Sequence, residues 1–442
     1  RSQDSSVGMP LWVTNGTSTG TTKITDIYPL SSCSDINNLT VYNGSLFFSA
    51  STEANGNEMH ISDGTTAGTT LLKDLNGTST SSGPVAFVKT DTGKMFFVAA
   101  HDSVNYGSEL YATDGTSAGT GMVKDINPGA TGSIVQSLTA LPGSNLVIFY
   151  SFMLKNFWIS NGTSAGTTAI GGLTTVNSST NAPIPTPTGA FFNYLDSSTN
   201  KMRIYFYNRT TAVATHLNTT YTTDIVSGFA PVMNPTSGLL YYITNNSAGT
   251  SVNLWKSDGT QAGTVLVKNI PSTGTNHQIL FIGHIGNNTL FQYGNNSSSP
   301  FIRQLWTTDG TSAGTSIIDD ATNTVSTSYT AGTTFNGNMY FTRYHATAGV
   351  ELWKTDGTVA GTSMVKDINS GSANSSFTAL TAYNGKLYFV ANDGVHGNEL
   401  WRTDGTLLGT EMVADINPGS GGSNPTAAKV LGGKLYFTAY KV

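Results

Sequence analysis

The sequence predicts an all-β fold, a single closed β-propeller of about nine four-stranded blades. Two observations lead to this prediction: a repeated segment with regular spacing, and strand-like residues between turn signals. One position of the repeat falls at Trp12, His60, Tyr111, Trp158, Tyr205, Trp255, Trp306, Trp353 and Trp401, with successive gaps of 47 to 51 residues. Repeats of this length that carry four short strands are typical of propeller blades.

The nine repeat units begin near residues 11, 59, 110, 157, 204, 254, 305, 352 and 400, and we assign residues 1–442 to one propeller domain with residues 1–10 as an N-terminal arm. The unit that begins at Leu352 shows the pattern. It reads as LWKT, a DGTVAG turn, TSMVKDI, a loop, FTALTAYNG and KLYFVAND. Aromatic and β-branched residues bounded by Gly, Asn and Asp indicate strands, and Asn-Gly favours a tight hairpin.

The two ends of the chain together have the length of one full unit. Twelve residues end at Trp12 and 41 follow Trp401. We therefore expect the C-terminal KLYFTAY strand to complete the blade begun by the N-terminal LWVT segment, which leaves no exposed edge. Nine blades exceed the usual four to eight. Two smaller propellers joined at the Pro-rich residues 181–190 are the alternative, but the repeat continues in phase through that stretch.

The repeat motif supports a family resemblance. The string ELWxTDGTxxGTxMVKDINPG, clearest in residues 109–129 and 351–371, resembles the ELWxxDGTxxGTxLVKDI repeats of large secreted bacterial surface proteins. The resemblance covers nearly the whole chain and implies a propeller-type β fold. It implies little about activity, because propellers carry many functions. The fourth and fifth units depart most, since they lack the Lys-Asp pair of the motif.

Composition limits the possible partners and location. Charged residues make up 11% of the chain and the net charge is −5, against about 25% charged residues in an average soluble protein. These values argue against nucleic acid or an anionic membrane as a partner. No apolar run reaches the roughly 20 residues of a membrane helix. The chain opens RSQDSS without an initiator Met, and we expect a mature extracellular or cell-surface protein.

Acidic residues recur at two repeat positions. Asp in the DGT turn predicts a structural turn cap, and a calcium site is the alternative; these residues are Asp63, Asp114, Asp258, Asp309, Asp356 and Asp404. The second position forms the pairs Lys73-Asp74, Lys124-Asp125 and Lys366-Asp367. We expect these to pair with a neighbouring blade, where Glu58, Glu109, Glu351 and Glu399 are candidate partners. An acidic ring that binds a cation or a sugar is the alternative.

No catalytic or metal motif stands out. There is no GxSxG nucleophile motif and no phosphate-binding Gly loop, and the seven histidines show no ligand spacing. The sequence therefore predicts no catalytic residues, no cofactor, no metal site and no enzyme activity.

The single cysteine and the sequons are the remaining candidate sites. Cys33 excludes an internal disulfide and is a candidate for an intermolecular one. The candidate N-glycosylation sites, read from the Asn-x-Ser/Thr pattern, are Asn38, Asn43, Asn76, Asn177, Asn218, Asn245, Asn287, Asn295, Asn296 and Asn374.

The function predicted from these observations is a non-catalytic, glycosylated extracellular propeller that self-assembles into a surface layer, adhesin or fibre. Its expected partners are other copies of itself and covalent glycans, with external carbohydrate as a further candidate. A lectin-like propeller that uses rim aromatics such as Tyr106, Tyr329 and Tyr344 is the alternative. A polysaccharide-active enzyme that uses the central channel is a third hypothesis.

Overall fold

The computed structural model describes most of the chain, and every element in the described part is a β-strand. No described segment forms a helix that is long and apolar enough to cross a membrane. The described residues are 10–25, 36–77, 79–100, 107–173, 182–196, 201–217, 225–226, 231–245, 251–271, 277–295, 301–323 and 332–441.

The strands form nine antiparallel sheets, which are the blades of a β-propeller and confirm the predicted fold class. We number the blades along the chain and name the strands of each blade a to d. Eight blades have four strands, and blade 5 has a divided first strand, because two short strands both pair with its second. The chain divides into two compact units, residues 1–169 with 375–442 and residues 170–374.

The first unit contains blades 1, 2, 3, 8 and 9. Their strands are β3 (Asn37–Tyr42), β4 (Ser45–Thr52), β5 (Gly56–Ser62) and β6 (Thr70–Lys73) in blade 1; β7 (Val85–Lys89), β8 (Met95–Ala100), β9 (Ser108–Thr113) and β10 (Gly121–Lys124) in blade 2; β11 (Val135–Ala140), β12 (Val147–Ser151), β13 (Asn156–Ser160) and β14 (Thr168–Ala169) in blade 3; β32 (Thr378–Tyr383), β33 (Lys386–Asn392), β34 (Asn398–Thr403) and β35 (Glu411–Ala414) in blade 8; and β36 (Thr426–Leu431), β37 (Lys434–Thr438), β1 (Leu11–Thr14) and β2 (Thr22–Thr25) in blade 9.

The second unit contains blades 4 to 7. Their strands are β15 (Ile184–Thr186), β16 (Gly189–Asp196), β17 (Lys201–Asn208) and β18 (Val213–His216) in blade 4; β19 (Ile225–Val226), β20 (Val232–Asn234), β21 (Leu239–Asn245), β22 (Ser251–Ser257) and β23 (Val265–Pro271) in blade 5; β24 (His277–Ile285), β25 (Asn288–Asn295), β26 (Phe301–Thr308) and β27 (Ser316–Asn323) in blade 6; and β28 (Thr333–Phe335), β29 (Asn338–His345), β30 (Gly349–Thr355) and β31 (Ser363–Lys366) in blade 7.

Blade 9 joins the two ends of the chain, as predicted. Strand β1 pairs with β37 in antiparallel register, and Trp12 lies opposite Phe437. The N-terminal segment supplies strands c and d, and the C-terminal segment supplies strands a and b. This pairing leaves neither terminal strand as a free edge within the sheet.

The repeat unit, counted from its Leu-Trp segment, is out of phase with the blade. The Leu-Trp segment is strand c of its sheet, and the strand that follows the DGT turn is strand d. Strands β32 and β33, which complete the same repeat unit, belong to the next blade. One unit therefore contributes half of two adjacent blades.

Turn chemistry sets the hairpins inside each blade. At the Asn384-Gly385 turn between strands a and b of blade 8, the φ angles are 47° and 68°, values that a type I′ turn requires and that Asn and Gly tolerate. Strands c and d are linked by the DGTxxGT turn. Their register shifts by one residue between the Leu and Trp of strand c, for example between Leu352 and Trp353, which is a β-bulge.

The apolar core lies between adjacent blades. In the first unit, Leu11 and Val13 of blade 9 cluster with Leu39, Leu46 and Phe48 of blade 1. In the second unit, residues of blades 5 and 6 form an equivalent cluster. Because one blade cannot bury both faces by itself, this packing makes each blade depend on its neighbours.

The glycine of the DGT turn permits a close approach between blades. Gly16 of blade 9 has a φ of 91°, and a Cβ there would lie 2.5 Å from the hydroxyl oxygen of Tyr388 in blade 8. Both the left-handed conformation and the approaching ring require a residue without a side chain.

Replacing Phe437 with Ala tests the terminal pairing. Phe437 is fully buried in a cluster with Trp12 and Leu400. We expect the Phe437→Ala variant to lose about 3–5 kcal/mol of unfolding free energy through the cavity that it creates. Urea denaturation would measure this loss. The exposed Lys441→Ala variant serves as the control, and equal midpoints for both variants would contradict a packed terminal blade.

Candidate functional site

The recurring turn aspartates have a structural role in the described turns. Asp63 Oδ1 accepts hydrogen bonds from the N–H and the hydroxyl of Thr65, at 2.9 and 2.8 Å. These two bonds lower the pKa of Asp63 below its ordinary value. The same pair of bonds is made at Asp114, Asp258, Asp309, Asp356 and Asp404, and by the amide oxygens of Asn15 and Asn161.

A buried glutamate near the start of strand c, at the other end of that strand from the DGT turn, binds the loop that follows strand d in several blades. The Glu399 side chain is fully buried. Its carboxylate accepts hydrogen bonds from the backbone N–H groups of Ile416, Asn417 and Ser423, at 3.2, 3.4 and 2.7 Å, and from the Ser423 hydroxyl at 2.6 Å. It therefore fixes the loop that leaves strand d. Burial raises the pKa of Glu399, and the Ser423 hydroxyl partly opposes that rise.

The glutamates do not pair with the lysines as we expected. Glu58 binds the N–H groups of Leu75 and Ser82 and the Ser82 hydroxyl, and Glu109 binds the loop of blade 2 in the same way. The donors to each carboxylate are a serine hydroxyl and backbone N–H groups of the loop that follows strand d, because strand c begins beside that loop.

The lysines of strand d instead bind a backbone carbonyl of the next blade. The Nζ atoms of Lys73, Lys124 and Lys268 donate to the carbonyl oxygens of Thr120, Thr167 and Thr315, at 2.5, 2.9 and 2.6 Å. Each acceptor is the last threonine of the DGTxxGT turn. The ammonium groups of Lys124 and Lys268 also lie over the rings of Trp158 and Trp306, at 5.8 and 5.9 Å from the ring centroids.

The junction between blades 6 and 7 carries a carboxylate in place of this lysine. Asp319 lies opposite Leu305 in the c–d pairing, and Lys268 lies opposite Leu254 in the same way. The Arg343 guanidinium of strand β29 pairs with both carboxylate oxygens of Asp319, at 3.0 and 2.8 Å. Its Cζ atom lies 4.2 Å from the centroid of the Trp353 ring.

An open groove of about 270 Å³ lies at this junction. It is lined by Ile317, Ile318, Asp319, Trp353, Val359 and Thr362. Thr362 is the last threonine of its turn, equivalent to the acceptors at the other junctions. The groove thus coincides with the place where a strand-d lysine crosses to the next blade. The groove was not predicted, although the sequence carries its signal: TSIIDD at residues 315–320 aligns with TSMVKD at residues 362–367 and has Asp where the other has Lys.

The loop between strands b and c of blade 8 holds an ion pair. Asp393 Oδ2 lies 2.8 Å from His396 Nδ1, and Asp393 Oδ1 accepts the N–H groups of Val395 and His396. The hydrogen bond with Asp393 raises the pKa of His396. Within the described ranges, no group of three or more His, Cys, Asp or Glu residues could hold a metal ion.

The other predicted site residues are dispersed. Asn38, Asn43, Asn287 and Asn374 are exposed and Asn76 is half-buried. Outside the described residues lie Cys33, Asn177, Asn218 and Asn296, together with the rim aromatics Tyr106 and Tyr329; the side chains of Asn245 and Asn295 are likewise not described.

Comparisons with known proteins give only distant structural likenesses. No protein-family model matches the chain, and no curated protein matches it. Among solved structures, prolyl oligopeptidase B from Galerina marginata is similar at 11% identity and a TM-score of 0.45, over 75% of this chain and 50% of that one. Oligopeptidase B from Leishmania major is similar at 11% identity and a TM-score of 0.44, over 81% and 53%. The β-propeller domain of the Trilobed protease from Pyrococcus furiosus has 8% identity and a TM-score of 0.36, over 76% and 98%.

These likenesses correct two predictions. The similar structures are peptidases or propeller domains of peptidases, so the predictions of a non-catalytic self-assembling propeller and of no enzyme activity are wrong and are withdrawn. The chain spans about half the length of the prolyl endopeptidases that it resembles. At 8 to 11% identity and TM-scores of 0.36 to 0.45, the likeness assigns no activity to this chain. The extracellular location and the glycans stay predictions.

Replacing Glu399 with Gln tests the buried carboxylate. We expect a loss of about 1–3 kcal/mol at pH 7, because the Gln Nε2 faces hydrogen-bond donors. Burial raises the Glu399 pKa in the folded state above its ordinary 4.5. The folded wild type therefore binds more protons than the unfolded chain, and this contribution to stability grows as the pH falls from 7 towards 4.5.

Urea unfolding at pH 7, 6 and 5 would measure the difference between wild type and Glu399→Gln. We expect the advantage of the wild type to increase as the pH falls. The exposed Glu53→Gln variant is the control, and its difference from wild type should stay constant. An advantage that shrinks towards pH 5 would contradict the role given to burial.

Proposed function

We propose that this chain is a peptide-binding β-propeller and that the groove between β27 and β30 receives a side chain of the peptide. The proposal rests on one observation: Asp319 occupies the strand-d position that Lys268 occupies in blade 5. At three other junctions a lysine of the chain itself crosses to the turn carbonyl. At this junction the equivalent space is an open groove.

The groove has the chemical character of a recognition site. Binding pockets combine apolar walls with a few fixed polar groups. Here Ile317, Ile318 and Val359 supply apolar surface, and Asp319 supplies a carboxylate held by Arg343. Val359 is 70% exposed, so the groove is accessible from solvent and its wall is available to a ligand.

Two other cavities in the described structure suit a ligand less well. One of about 10 Å³ is lined mainly by apolar residues of blades 8 and 9, among them Leu400 and Phe437. Another of about 10 Å³ lies between blades 4 and 5 beside Phe191 and Leu240. Both fall within the apolar packing between blades. Neither contains a charged side chain.

A fragment screen on two forms of the protein tests this proposal. The double variant Asp319→Lys with Arg343→Ala copies the junction of blades 1 and 2. There Lys73 is the strand-d lysine, and Ala99, which lies opposite Glu109, stands where blade 7 has Arg343 opposite Glu351. We expect it to fold and to fill the groove. Ligand-observed fluorine NMR would compare the binding of cationic, anionic and neutral fragments to wild type and to this variant.

The expected result is a set of fragments that bind wild type and not the filled variant, with equal thermal unfolding midpoints as the control for folding. If every fragment that binds wild type binds the filled variant equally, the groove is not the recognition site and the proposal falls.

A further inference from the structure

We propose that the peptide binds as an extended strand, which pairs with the outer edge of β27 and places an aliphatic side chain in the groove. This inference rests on the proposed function and names the conformation and the side-chain class of the ligand. It follows from the position of β27 in its sheet, from the residues that this strand contains, and from the apolar surface beside it.

Strand β27 lies at the outer edge of blade 6. It is the last strand in the order β24-β25-β26-β27, and among the described strands it pairs with β26 alone. A strand in this position presents a row of backbone N–H and C=O groups on its outer side. An extended peptide can bind such a row by adding a further strand to the sheet.

The other outer strands are protected against pairing in ways that β27 is not. Strand β27 has eight residues, whereas seven of the other outer strands have two to four. The remaining one, β23, contains Lys268 and ends at Pro271. Short length, lysine and proline keep an edge from pairing with another chain. The sequence SIIDDATN of β27 has neither lysine nor proline.

An apolar surface continues from β27 towards blade 7. Ile318 of β27 is buried in a cluster with Met339, Phe341 and Trp353, so its side chain points to the face of the sheet that meets blade 7. The residue opposite Ile318 on an added strand directs its side chain to the same face, about 5 Å away. The groove lies there, and Val359 in its lining is 70% exposed.

The charges at the groove favour an uncharged side chain. Arg343 pairs with both carboxylate oxygens of Asp319, at 3.0 and 2.8 Å, and lies over the Trp353 ring. The chain itself therefore fills the cation position on this ring. A further charged group would lose water without gaining a new partner. An aliphatic side chain instead removes the apolar surface of Val359 from water.

Ligand-observed NMR titrations with defined peptides test the inference. The probe is the heptapeptide Lys-Val-Thr-Leu-Thr-Val-Lys, acetylated and amidated at its ends, which spans about 23 Å when extended and so matches the edge. Its lysines keep it soluble. We expect a Kd of about 1 mM, and a Kd about fivefold higher for the peptide with Ser in place of Leu.

N-methylated forms of the probe report on strand pairing. One form carries methyl groups on the two threonine nitrogens, and the other on the nitrogens of the leucine and the two valines. Residues two apart in a strand direct their N–H groups to the same edge, so each form blocks one edge of the peptide. We expect one form to bind at least tenfold more weakly than the probe and the other to stay within about threefold.

Hydrogen exchange locates the paired edge. At 5 mM probe, the amides of β27 should exchange about fivefold more slowly, because most of the protein is then bound. The amides of β31, the outer strand of blade 7, are the control and should be unchanged. Side-chain binding in the groove alone would not protect the backbone along β27.

The variant Val359→Ser tests the apolar contact. Serine occupies this turn position in blades 2, 3 and 6, so the change suits the turn, and thermal unfolding shows whether the variant is folded. We expect its Kd to rise about threefold. Leu407→Ser changes the equivalent exposed residue of the blade 8 turn and should leave the Kd unchanged.

The outcomes separate this inference from the proposed function. Equal binding of both N-methylated forms, still weakened by Val359→Ser, would overturn the added strand and leave side-chain recognition by the groove in place. Protection of β27 that rises with protein concentration without peptide would make a second copy the occupant and overturn the peptide strand. Peptide binding that is unchanged in Val359→Ser and in the filled variant would overturn both proposals.

Discussion

The propeller depends on one constraint, which is that each blade must supply hydrogen-bond partners and apolar surface to the blade beside it. Within a blade the strands satisfy their own backbone, but the last carbonyl of the c–d turn faces the preceding blade. At three junctions a lysine ammonium satisfies it, at 2.5 to 2.9 Å. An unpaired carbonyl in that position would cost free energy comparable to a lost hydrogen bond. The lysine therefore fixes the spacing of neighbouring blades as well as their contact.

At the start of strand c, a buried carboxylate accepts hydrogen bonds from the loop that follows strand d. In the loop from strand d to the next strand a, several N–H groups lie outside the strand ladder. Glu58, Glu109 and Glu399, fully buried, accept those groups together with a serine hydroxyl. A charged group is costly to bury unless several donors surround it. The glutamates satisfy this condition through the loop that leaves their own blade, whereas the lysines bind a carbonyl of the next blade.

Much of the fold could be predicted from the sequence, because turn residues and repeat spacing are local signals. The nine units, the Asn-Gly hairpins and the shared terminal blade follow from them directly. The separate hydrogen-bond partners of Lys73 and of Glu58 could not be predicted, since most of them are backbone atoms that carry no residue identity. The offset between repeat and blade could not be predicted either. The period of a repeat is the same whichever strand is taken as its first, so the period does not show which four strands form one sheet. The groove beside Asp319 has a sequence signal, the TSIIDD string, which becomes meaningful only once the lysines of the other blades have a known role.

The half-blade offset of the repeat has a consequence for how such a chain can change during evolution. Each unit ends with the strands a and b that need the c and d strands of the following unit. A chain that gains or loses one whole unit by recombination still begins with strands c and d and ends with a and b. Its termini keep complementary halves of one sheet, so the ends can meet whatever the number of units. Blade number is therefore free to drift, limited by the wedge angle between neighbours rather than by the chemistry of the join.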